Sequence, residues 1–320
     1  VFGAHGSRLL GDIVTRYAGI DCGTNSIRLL VSEIDGSGTA VDVVRRMEVV
    51  RLGEGVDATG RLSDAALERT FAAVDDYAST IARIGVAGVR FAATSATRDA
   101  ANRDVFVDGV RARLGIEPEV ITGTEEAALS FTGATRDLTG TDLTTPYLVV
   151  DIGGGSTEFV LGIDQPIASK SVDIGCVRLS ERHVRHDPPS TAEVAAIRAD
   201  VNAAIDEVAA VVDLAAAQSL IGVAGTVTTV VALGLDLPEY DSDRIHRATI
   251  SAAAVAEVSD RLLAMTSTQR AALGVMHPGR VDVINAGALV LRGILERTGL
   301  PSVTASEHDI LDGLVWSQLR

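Results

Sequence analysis

The chain has 320 residues, 47% hydrophobic and 22% charged, which is the balance of a folded soluble protein with room for two domains. Its formal net charge of −15 disfavours nucleic acid or an anionic membrane as a general partner. It leaves room for a polyanionic substrate, provided arginines and a metal cluster locally.

Lys170 is the only lysine, which excludes a phosphate-binding loop that needs lysine after its glycines. No G-x-G-x-x-G string is present for a dinucleotide. Cys22 and Cys176 lie far apart in apolar runs without a C-x-x-C and read as buried thiols. Nothing resembles a signal peptide or a membrane span, so a cytoplasmic location is expected.

Residues 1–13 carry little pattern and are set aside from fold reasoning. Tyr17 to Val31 then reads as strand, small polar turn and strand, with Asp21-Cys-Gly-Thr-Asn-Ser26 at its centre. A third strand is expected over Ala40–Arg51 and a helix over Ser63–Ile84, where Leu67, Phe71, Val74, Ala78 and Ile81 have helical spacing. Val86–Ala93 is a strand running into Thr94-Ser-Ala-Thr-Arg98-Asp99, which opens the next helix. Asn102–Leu114 reads as a helix and Glu117–Ile121 as a strand. Thr124 is expected to cap a helix from Glu125 to about Leu138, with Glu125 and Glu126 in its first turn. A polar linker covers 139–146.

Leu148–Leu161 is the most informative stretch. An apolar run ends in Asp151, Gly153, Gly154 and Gly155 follow, and a second apolar run begins at Ser156, Thr157 and Glu158. Glycines without Cβ atoms let successive N–H groups converge on an anion. Two carboxylates beside an anion cradle call for a divalent cation between them, as Mg²⁺ binds through carboxylates and phosphate oxygens. The glycine triplet alone would suit a plain hairpin, but the whole string favours a metal-phosphate site.

Further on, a strand is expected over Pro166–Asp173 and helices over Thr191–Val212, Val255–Met265 and Val281–Thr298. Ile221–Thr228 repeats the strand, turn and helix pattern. Ser302–Ala305 reads as a short strand, and Ser306 is expected to cap a helix over Glu307–Arg320. The two glycine turns superpose at an offset of 130, with Asp21 on Asp151, Gly23 on Gly153, Ser26 on Ser156 and Arg28 on Glu158. Ser95 falls on Gly225 at the same offset, which argues for a duplicated unit.

Two α/β units, each opening with such a hairpin, resemble the actin-like (ribonuclease-H-like) fold, with two domains facing a central cleft. The expected domains are residues 14–123 and 124–305, with a C-terminal helix in 306–320 returning to the first. Four strings in order, Asp21–Ser26, Thr94–Asp99, Gly123-Thr-Glu-Glu126-Ala127 and Asp151–Glu158, resemble the exopolyphosphatase/guanosine-pentaphosphate phosphatase (Ppx/GppA) family. That resemblance implies Mg²⁺-dependent hydrolysis of the terminal phosphoanhydride of polyphosphate, or of pppGpp, with polyphosphate preferred. A binding protein that senses these anions without hydrolysing them is a second class, and an actin-like ATPase or sugar kinase a third.

The resemblance implies Glu126 as general base and Asp151 and Glu158 as metal ligands. Gly153, Gly154, Gly155, Ser156 and Thr157 would bind the phosphate, and Thr24, Asn25, Ser26 and Ser95 the other phosphates across the cleft. Arg98 would clamp substrate; Asp21 would join the metal shell through water or orient its hairpin. Gly225 and Thr226 would line the cleft. The sequence is silent on oligomeric state and leaves a homodimer open.

Overall fold

The apolar alternation beside the first glycine turn folds as an antiparallel pair, β1 (Thr15–Cys22) and β2 (Ser26–Ile34), extended by β3 (Ala40–Val49). β4 (Gly88–Ala93) and β5 (Glu119–Val120) join in parallel, giving the order β3-β2-β1-β4-β5. This is a computed structural model describing residues 14–36, 38–138 and 141–319; residues 1–13, set aside above, lie outside them.

Strand alternation sends Ile20, Leu29 and Phe91 to one face, where Val74 and Tyr77 of helix Asp64–Ile84 and Phe106 of helix Arg103–Leu114 cover them. Ser63 starts the first of these helices by accepting from the Ala66 N–H.

The second glycine turn organises the other sheet. It contains β6 (Tyr147–Ile152), β7 (Thr157–Gly162), β8 (Pro166–Val172), β9 (Ser219–Val223), β10 (Thr249–Ser251) and β11 (Ser302–Ala305). Their order is β8-β7-β6-β9-β11-β10, with β6, β9 and β11 parallel and the rest antiparallel to their neighbours. The first five strands repeat the order and sense of the first sheet. The duplication reaches single bonds: Gly23 N–H donates to Ser26 O at 3.0 Å, and Gly153 N–H to Ser156 O at 3.1 Å. The fold is α/β, built from two actin-like units.

Two helices fill the space between the sheets. Helix Gly123–Thr135 lays Ala127, Phe131 and Ala134 on Val149, Val160 and Ile221 of the second sheet. Helix Ile310–Trp316 lays Leu311 and Val315 on Leu30 and Ile34 of the first. They meet where both backbones are bare. A Cβ on Gly133 would sit 1.8 Å from Asp309 O, and one on Gly313 would sit 2.3 Å from Leu129 O.

Two expected caps move. Thr122, not Thr124, accepts from the Glu125 N–H, so the helix begins at Gly123 and Glu126 lies inside its first turn. Asp309, not Ser306, caps the last helix, in a reciprocal box with Asp312. The Ser306 hydroxyl is engaged with His308 N and O, so its segment turns before the helix starts.

Candidate active site

The two glycine turns and the first turn of helix Gly123–Thr135 enclose a cavity of about 110 Å³. On its wall are Thr24, Asn25, Ser26 and Ser95 of the first unit, and Asp151, Gly153, Gly154 and Ser156 of the second. Glu126, Asp21, Gly225 and Thr226 also face it. Asp21 and Asp151 are the next-to-last residues of β1 and β6, at the carboxyl ends from which a strand delivers a side chain to the cleft.

The second glycine turn has its carbonyls fixed from behind. Cys176 N–H donates to Gly153 O at 3.0 Å, and Val177 and Arg178 N–H donate to Gly154 O at 2.9 and 3.1 Å. Arg178 Nε donates to Gly155 O at 2.8 Å. In a trans peptide the N–H points opposite to the C=O. The N–H groups of Gly154, Gly155 and Ser156 therefore face away from helix Cys176–His183. Glycine is required here: a Cβ on Gly175 would lie 2.3 Å from Gly154 O, and one on Gly155 would lie 2.5 Å from both Ser95 Oγ and Thr24 Oγ1. The Thr24 and Ser95 hydroxyls are themselves 2.8 Å apart.

Three carboxylates, Glu126, Asp151 and Asp21, face this small space, and a fourth, Glu158, is buried just behind it. Glu126 is buried, and its pKa is pushed well above the usual carboxylate range, first by burial and then by the charge of Glu158. Asp151 is raised by burial and by Asp309, and Glu158 by burial and by Asp151. Asp21 is raised by burial in spite of Arg28. Asp21 Oδ1 is buried with no hydrogen-bond partner among the described residues. Carboxylates crowded and desolvated in this way, one with an orphaned oxygen, fit a divalent cation as the missing positive charge. Asp151 on the wall and Asp21 are placed to hold it.

Several expected residues stand behind the wall. Glu158, the cross-strand partner of Asp151, is buried and accepts from Ser171 Oγ at 2.7 Å. The Thr157 hydroxyl is spent on the Ile174 carbonyl, which removes it as a side-chain ligand for phosphate. Arg98, expected as a substrate clamp, donates from Nη1 to Glu126 Oε2 at 3.2 Å and to Ile121 O at 3.1 Å. The equivalent of Glu158 in the first unit, Arg28, holds Asp21 at 2.6 Å and also binds Asp309.

Arg280 was not singled out by the sequence, where it sits in a Pro-Gly turn; the turn chemistry is the signal that could have found it. Its guanidinium lies over Gly225 and donates to Thr229 Oγ1 at 3.2 Å. Arg280 makes no ion pair among the described residues. It faces the cavity and a second, adjoining one of about 460 Å³ that also presents Arg45, Tyr240, Met276 and His277. Between the two, Ala224 holds φ at +67°, a strained conformation of the kind concentrated at functional sites.

Comparison with known proteins matches this arrangement. Exopolyphosphatase 2 of Mycobacterium tuberculosis is 48% identical over 317 residues, covering 95% of this chain and 98% of that protein. The crystal structure of an exopolyphosphatase-like protein superposes with a TM-score of 0.92 at 45% identity, covering 95% of this chain and 97% of the other. The guanosine-5'-triphosphate,3'-diphosphate pyrophosphatase of Aeromonas salmonicida is 29% identical over 305 residues, 95% of this chain but 59% of that protein. The family model of the Ppx/GppA phosphatases matches residues 30–320, from within β2 through both the helix that carries Glu126 and the second glycine turn. With the family model and the close relatives matching nearly the whole length, the chain belongs to the Ppx/GppA phosphatase family.

Proposed function

We propose that the protein is a Mg²⁺-dependent exopolyphosphatase of the cytoplasm, removing the terminal phosphate of inorganic polyphosphate. The observation that carries this reading is that Glu126 and the second glycine turn line one cavity of about 110 Å³ together with Thr24, Asn25 and Ser95 of the other unit. Glu126 takes a proton from water as the water oxygen bonds to the terminal phosphorus. The bridging P–O bond breaks, and the products are phosphate and a chain shorter by one. The N–H groups of Gly154, Gly155 and Ser156 hold the phosphoryl oxygens, while Thr24, Asn25 and Ser95 hold the next phosphates from the other unit. Asp151 and Asp21 would hold a Mg²⁺, with Glu158 behind them on β7, and the ion would supply charge neutralisation to the phosphoryl group. The closeness to Exopolyphosphatase 2 supports the substrate class.

One observation favours hydrolysis of pppGpp instead. The adjoining cavity of about 460 Å³ offers Met47, Tyr240 and Met276 beside arginines, a setting suited to a nucleoside. Phosphate release measured from polyphosphate and from pppGpp decides between them. Fast turnover of pppGpp with none of polyphosphate would reverse the preference.

A further inference from the structure

Helix Cys176–His183 belongs to the second unit, yet its Arg178 touches both units at once. Nε donates to Gly155 O at 2.8 Å, Nη1 to Asp57 Oδ1 at 2.6 Å and Nη2 to Asp99 Oδ2 at 2.5 Å. Asp57 and Asp99 come from the first unit, and Asp99 ends the short helix that starts with the cavity residue Ser95. Beside it, the Glu181 carboxylate accepts from the Gly55 N–H at 3.1 and 3.2 Å, a second tie across the same seam.

The three glycine carbonyls are not held alike. Those of Gly153 and Gly154 are bound by backbone N–H groups of the helix and stay bound whatever the units do. The Gly155 carbonyl is bound by a side chain, and that side chain is pinned by carboxylates of the other unit. With Asp57 and Asp99 in place, two charge-assisted bonds fix the guanidinium, which is 12% exposed. Separation of the units removes both bonds and returns rotamer freedom to Arg178. The Gly155–Ser156 peptide, whose N–H serves the phosphate, then loses its anchor.

We propose that Arg178 is a positioning residue that makes completion of the phosphate turn conditional on closure of the two units. The turn would reach its binding geometry only when the cleft has shut and water is excluded. This rests on the phosphatase reading above for the identity of the anion, but not for the coupling itself.

Cys176 lines the cavity and is buried, so the rate of its alkylation, followed by peptide mass mapping, reports cleft opening independently of turnover. Two variants separate the halves of the device. Arg178→Lys keeps a charge but loses the three-way fork, and the double variant Asp57→Asn with Asp99→Asn removes the first unit's side, together with the tie of Asp57 to Arg182 at 3.1 Å. Both should raise the Cys176 alkylation rate ~10-fold, weaken protection by magnesium tripolyphosphate, and raise KM for polyphosphate ~10-fold. Adding Arg178→Lys to the double variant should bring little further change, since the three residues act as one unit. An alkylation rate unchanged in the double variant would overturn the coupling, leaving Arg178 as a local brace. So would fully additive effects. If the wild type hydrolysed no polyphosphate, the functional reading would fall while the alkylation result still decided this one.

Discussion

Arg98 and Glu126 meet across 3.2 Å, guanidinium Nη1 to carboxylate Oε2, where the charges of Glu158, Asp151 and Asp21 also act on Glu126. Burial and the charges of Glu158 and Asp151 push the Glu126 pKa up, and Arg98 pulls it back. A general base must be deprotonated to work, so on the proposed mechanism Arg98 would act through the protonation state of Glu126.

Arg98→Ala should therefore lower kcat and move the acid limb of the pH–rate profile to higher pH, with KM little altered. Arg98→Lys should restore part of the activity. Rates of phosphate release across pH check this; a rise in KM with an unmoved profile would make Arg98 a substrate clamp after all.

The crowded acids give the metal-free protein a characteristic pH dependence. Burial raises Asp151 and Glu158 above their unfolded values, Glu158 to about 8. The folded state then holds more protons than the unfolded chain between the ordinary carboxylate range and about pH 8, so stability falls as pH rises through that window. A saturating divalent cation should flatten the slope. Urea unfolding with chelator and with metal measures both, and a flat profile without metal would contradict the assignment of these acids as a cation site.

Arg280 has no carboxylate partner among the described residues and faces both cavities. Its replacement by Ala should raise KM ~10–100-fold, the range for a hydrogen bond to a charged group, while the unfolding midpoint stays close to wild type. Steady-state kinetics alongside thermal unfolding tests it.

Gly133 is where the two central helices touch. A Cβ there would lie 1.8 Å from Asp309 O and 2.5 Å from Asp309 C, backbone atoms that a rotamer change cannot move. Gly133→Ala should cost ~3 kcal/mol or more of stability. It should also disturb the Arg28 link between Asp309 and Asp21. Gly36→Ala, with nothing among the described residues within 4 Å, should stay within ~0.5 kcal/mol of wild type. Equal unfolding curves for the two would refute the packing argument.

What the sequence made legible was local. The glycine turns, Asp151 and Ser156 and the position of Glu126 beside them come from short strings whose geometry is set within a few residues. The repeat offset linked Ser95 to Gly225 before any sheet was known, and both line the cavity. Side chains whose partners lie far along the chain were not legible. Arg98 has the same neighbours in sequence whether it binds phosphate or Glu126, 28 residues on. Arg178 reaches Asp57 and Asp99, 121 and 79 residues away, and no periodicity announces such a link. Thr157 has the hydroxyl a phosphate site wants, but strand alternation turns it inward to Ile174. The caps moved for a similar reason. Thr122 and Thr124 both suit an N-cap, and the chain's exit from β5 at Val120 selects the earlier one.

The central claim is that Glu126 activates water against a chain end held by the glycine turn. Glu126→Gln keeps the shape and the Arg98 contact but removes the proton acceptor. The decisive measurement is its kcat for polyphosphate together with its affinity for the same chain. The account predicts kcat lower by ~10²–10⁴ with affinity kept within a few fold. A Glu126→Gln enzyme turning over polyphosphate at the wild-type rate would contradict it.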